Sequence, residues 1–86
     1  MTLRVSWFDI KHRRSEEVVK TLNKTTPVPE IARVIAEEKK VPEEDMPFLR
    51  YYLIDLGIIV PAADDLTAAD VYKLRHTLRV EVRGET

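Results

Sequence analysis

Two histidines and fifteen carboxylates supply this chain's ordinary proton carriers and metal ligands, and there is no cysteine. His12 and His76 each sit among arginines and lysines, with no acid at metal-ligand spacing. Ser6 and Ser15 lack the flanking residues of a nucleophile elbow. The two glycines, Gly57 and Gly84, are too few for a phosphate-cradling loop. Carboxylates come as neighbours (Glu16/Glu17, Glu37/Glu38, Glu43/Glu44, Asp64/Asp65), and adjacent residues on a helix do not face each other. The expectation is a non-enzyme, with no catalytic residue, no metal and no cofactor.

The remaining chemistry is charge. Lys11, Arg13 and Arg14 lie near one end, and Lys73, Arg75 and Arg79 near the other. Residues 1–24 carry six basic and three acidic side chains, residues 25–70 four basic and ten acidic, and residues 71–86 four basic and two acidic. If the ends meet, a basic patch sits beside an acidic body. Such a patch could neutralise phosphates; ordinary solvated charge is the alternative. The net charge of -1 and pI of about 6.1 argue against a dedicated nucleic-acid binder.

Eighty-six residues suit a single domain, spanning 1–86. No apolar run reaches the roughly 18–20 residues needed to cross a bilayer, and no signal-peptide pattern opens the chain, so a cytoplasmic protein with no membrane partner is expected. Residues 2–10 (TLRVSWFDI) favour a strand, with Trp7 in the core. Ser15-Glu16-Glu17 reads as a helix cap, with Val18, Val19 and Leu22 as the buried stripe. A second helix runs from Pro29 to Lys40, burying Ile31, Val34 and Ile35. A third runs from about Glu43 to Leu56 and stops at Gly57; Met46, Leu49, Leu53 and Leu56 form one face, and Phe48, Tyr51 and Ile54 lie opposite. That second face is either centrally buried or shared with a protein partner or a second copy. Ile58-Ile59-Val60, closed by Pro61, reads as a short strand. Thr67 and Asp70 form a capping box for a last helix, and from Leu78 the alternation of LRVEVRG suits a strand pairing with residues 2–8.

The pattern EIARVIAEE … FLRYYLIDLGII resembles a winged helix-turn-helix, and LRYY followed by LGII-x-P is similar to MerR-type regulators, over about residues 29–78. The resemblance implies a mainly α fold with a small β component (α+β), winged-helix-like. It implies Arg50 and Tyr51 as phosphate contacts on duplex DNA, with the basic ends in support. Two departures stand out: the wing position is short and acidic (Ala62–Leu66), and the recognition helix opens on Glu43, Glu44 and Asp45. The expected function is a winged-helix DNA-binding or transcription-associated protein. The alternative is a protein-protein interaction module docking through Phe48, Tyr51 and Ile54.

Overall fold

The computed structural model describes residues 1–83. It is built on a five-stranded mixed sheet, not on a helical bundle. The elements are β1 (Thr2–Asp9), β2 (Arg14–Thr21), α1 (Val28–Glu38), a 3-10 turn (Glu43–Phe48), β3 (Leu49–Asp55), β4 (Ile58–Pro61), α2 (Ala68–Leu74) and β5 (Thr77–Val82). The strand order is β2-β1-β5-β3-β4. β5 lies at the centre, parallel to β1 and antiparallel to β3.

β1 alternates as its sequence requires: Leu3, Val5 and Trp7 are buried, while Arg4, Ser6 and Phe8 face the other way. The helix expected from Ser15 is instead β2, paired antiparallel with β1 from Thr2↔Thr21 to Asp9↔Arg14. Val18 lies opposite Val5 and extends the apolar surface, which a short helix with one buried stripe would not do. The cap signal of Ser15-Glu16-Glu17 yields to this pairing. Leu22 lies beyond the strand, where its N–H donates to Met1 O at 2.7 Å.

α1 buries Ile31 and Ile35 as expected, but Val34, expected beside them, is only half-buried and lies outside the core, its place taken by Ala32 and Ala36. Val28, Ile31, Ala32, Ile35 and Ala36 are buried against the sheet, and Pro29 occupies the first turn. Its end is a Schellman motif: Val41 N–H donates to Ala36 O and Lys40 N–H to Glu37 O, each at 3.0 Å, with Lys40 at φ 61°.

The third helix does not form. Residues 43–48 make a 3-10 turn holding Pro47, and LRYYLID is β3. Leu49, Tyr51 and Leu53 pack on the core while Arg50, Tyr52 and Ile54 take the other face. β3 carries tyrosine and isoleucine on its open face as well as leucine and tyrosine on its core face, so it is apolar nearly all round, which is how it imitates a buried helix. Leu56 and Gly57, read as a helix stop, form a two-residue hairpin turn with φ 51° and 82°. Both are positive, as a type I′ turn demands. Leu56 leaves the buried stripe entirely.

The later elements match expectation. β4 is the short strand, and Thr67 caps α2 through a full capping box: Asp70 N–H donates to Thr67 Oγ1 at 3.4 Å and Thr67 N–H to Asp70 Oδ2 at 3.0 Å. β5 runs beside β1, from Val5↔Leu78 to Asp9↔Val82. Leu78, Val80 and Val82 form the floor of a single core with α1, Ala68 and Val71. The mainly α, winged-helix-like class is therefore corrected to an α+β fold dominated by one mixed sheet.

Candidate functional site: the uncovered face of the sheet

Both helices contribute to the core on one side of the sheet, and among the described residues no element lies on the other. Register fixes what that face presents, because paired residues project to the same side. One row reads Ser15, Phe8, Glu81, Arg50 across β2, β1, β5 and β3. The next reads Glu17, Ser6, Arg79, Tyr52 and Pro61, and a third Thr77, Ile54 and Ile59.

Glu81 is the anchor, only 4% exposed despite its place on the open face. Arg79 Nε lies 3.0 Å from one of its carboxylate oxygens and Arg83 Nη2 lies 3.4 Å from the other. The Arg79 contact is ionic; its angle gives Nε no linear hydrogen bond. The same guanidinium stands 3.9 Å above the Phe8 ring, a cation–π contact worth about 0.5–1 kcal/mol. Arg50 folds back, donating to Pro47 O at 3.2 Å and Leu49 O at 2.8 Å. The result is an apolar strip of Phe8, Tyr52, Ile54 and Ile59, crossed by guanidinium groups around one neutralised carboxylate. Aromatic and arginine side chains are the types enriched at protein–protein interfaces, where fixed charge sets orientation.

The residues expected to meet nucleic acid do not converge. Lys11 and Arg13 sit on the β1–β2 turn and Arg14 opens β2; Lys73 and Arg75 lie at the end of α2; Arg79 is engaged with Glu81. Lys11 also pairs with Asp45 at 3.4 Å, a carboxylate buried by the 3-10 turn. Arg50 and Tyr51 lie on opposite faces of β3. The Tyr51 hydroxyl donates to Asp64, which fastens the loop after β4 and, together with partial burial, raises the phenol above its ordinary value. The partner face of Phe48, Tyr51 and Ile54 is dispersed too: Phe48 ends the turn, Tyr51 packs on the core, and Ile54 alone joins the uncovered face.

Sequence reasoning missed two things. Asp9 and His12 close their turn together, with Asp9 Oδ2 2.9 Å from Nδ1 and Asp9 Oδ1 accepting the His12 N–H at 3.1 Å. The i, i+3 spacing was the available signal. They line a cleft of about 210 Å3 that contains no serine, threonine or cysteine to activate. The burial of Glu81 had no local signal, since it depends on strands brought from elsewhere. Among the described residues, no group of three His, Cys, Asp or Glu side chains could hold a metal, and no helix is long and apolar enough to cross a membrane.

No protein-family model matches this sequence, and no curated protein matches it. Solved structures do. The MyTH4-FERM MF2 domain of Dictyostelium discoideum myosin VII is similar at a TM-score of 0.68 and 10% identity, over 100% of this chain and 19% of that one. This chain thus spans under a fifth of that structure. Tubulin-binding cofactor B of Trypanosoma brucei is similar at 0.60 and 15% identity, over 100% of both chains. The C-terminal ubiquitin-like domain of mouse tubulin-specific chaperone e is similar at 0.60 and 17% identity, over 100% of this chain and 91% of that one. The fold is ubiquitin-like. This overturns the winged-helix and MerR-type resemblance, and with it the DNA-binding and transcription reading: the helix that would enter the groove is a central-sheet strand.

Proposed function

We propose that this chain is a non-enzymatic protein-interaction module acting in the cytoplasm, which docks on the uncovered face of its sheet. The observation that carries the reading is the Phe8–Arg79–Glu81 cluster flanked by Tyr52 and Ile54, an apolar strip held open between arginines. The partner it suits is a protein surface with an apolar centre and an acidic rim. Two of the similar structures come from proteins named for tubulin, so tubulin is the first partner to test.

The test replaces Tyr52 with photoreactive benzoylphenylalanine, which preserves an aromatic ring on the face, and Glu30 with the same residue as a control on the outer side of α1. Irradiation in cells, followed by a tubulin blot and peptide identification, reads out what lies against each position. Crosslinks formed at position 52 and absent at position 30 support the reading. Equal crosslinking at both positions, or none at 52, overturns it.

A further inference from the structure

The two edges of the sheet are finished differently. β2 carries Arg14, Glu16, Glu17 and Lys20 within eight residues. Two of them reach across to α1's end: Lys20 donates to Glu38 at 2.6 Å, holding that carboxyl below its usual range, and Lys39 donates to Glu16. Charged side chains are how proteins keep an edge from pairing further. β4 has none. Ile58, Ile59 and Val60 are 66%, 51% and 49% exposed, and Leu56 in the preceding turn is more exposed still.

The backbone of β4 is also prepared on its free side. In a two-residue hairpin the pair flanking the turn, Asp55 and Ile58, exchanges hydrogen bonds, and the pattern alternates from there. Leu53 and Val60 are the next bonded pair, and Ala62 N–H reaches Tyr51 O at 3.5 Å in the same phase. Ile59 therefore turns its N–H and C=O outward. Pro61 turns outward a C=O alone, which ends the template after a few residues.

Charge selects the occupant. From Tyr51 to Tyr72 there is no lysine, arginine or histidine, while Asp55, Asp64, Asp65 and Asp70 all fall within that span. Asp55 stands opposite Ile58 at one end of the strand, 3.9 Å from His76 Nδ1, and Asp64, which accepts from the Tyr51 hydroxyl, and Asp65 follow its other end. A second copy would set like carboxylates against these, and a four-residue strand buries far less than the roughly 800 Å2 per partner of a stable dimer. We propose that the free edge of β4 accepts, as a sixth strand, a short extended apolar segment of a partner protein flanked by lysine or arginine. This site adjoins the uncovered face, with Ile59 common to both, and differs from it in that its main contacts are backbone hydrogen bonds along the edge.

The probes are two labelled synthetic peptides, KRVIVIRK and EEVIVIEE, followed by anisotropy and by amide NMR of the protein. The basic-flanked peptide binds and shifts the Ile59 amide, and the acidic-flanked one binds about tenfold more weakly or not at all. Ile59→Pro removes the outward N–H together with the Ile59 side chain, so it abolishes binding while circular dichroism is retained, and Ile59→Ala, which keeps the N–H, retains binding. The variant Asp65→Lys, which leaves the Tyr51–Asp64 hydrogen bond in place, narrows the difference between the two peptides. Tyr52→Glu leaves both results unchanged, which separates this site from the uncovered face. Equal binding of the two peptides, no binding, or binding that survives Ile59→Pro in a folded protein overturns the proposal. So does a wild-type dimer that Ile59→Pro converts to monomer, since the edge then belongs to a second copy.

Discussion

Leu56→Asn distinguishes the strand-turn-strand architecture from a helix through the same residues. Leu56 is 95% exposed and holds φ 51°, a conformation that costs a branched L-residue about 1–2 kcal/mol and asparagine much less. The substitution also creates Asn-Gly, the preferred pair for a type I′ turn. With about one-twentieth of the side chain covered, the lost burial is roughly 0.1 kcal/mol. The expected result is a net stabilisation of about 0.5–1 kcal/mol, or a midpoint raised by about 2–8 °C for a domain of this size. Buried Trp7 provides the fluorescence signal for thermal and urea unfolding. A helix would have placed Leu56 on its buried stripe beside Leu53, where asparagine costs more than about 2 kcal/mol. Destabilisation of that size would refute the hairpin.

Three further outcomes follow from the same geometry. Leu53→Ala, at a site only 6% exposed, should cost about 2–5 kcal/mol in urea unfolding. Lys40→Gly should stabilise by about 0.5–1 kcal/mol, because Lys40 occupies the left-handed position of the α1 Schellman motif. In an ultraviolet titration, Tyr51 should ionise above the ordinary value of 10.0, and Asp64→Asn should move it down. A raised phenol stabilises the fold fully below its unfolded value and loses that contribution as pH climbs through the folded one, so Tyr51→Phe should reduce the loss of stability above pH 10.

Much of the fold was legible where a single period dominated. The i, i+4 pair Ile31 and Ile35, the Thr67–Asp70 capping box and the alternation of β1 and β5 formed as their residues dictate, while Val34 at i+3 stayed outside the core. The misreadings lay where local signals competed with pairing. Ser15-Glu16-Glu17 looks like a cap until β1 offers it a partner strand, and LRYYLID looks helical because both faces of β3 carry apolar groups. The richness of β3 in tyrosine and isoleucine was the signal for a strand. The uncovered face was less legible still. Phe8, Arg50, Tyr52, Arg79 and Glu81 come from three strands, and only the order β1-β5-β3 brings them together.

The central claim is that the uncovered face of the sheet is where a protein partner docks, and amide NMR with the crosslinked partner, once purified, tests it most directly. The account predicts that shifts and line broadening gather at Ser6, Phe8, Arg50, Tyr52, Ile54, Arg79 and Glu81, and that Tyr52→Glu removes them without changing the spectrum of the core. Perturbations centred instead on Glu30, Arg33 and Glu37, the outer side of α1, would contradict it.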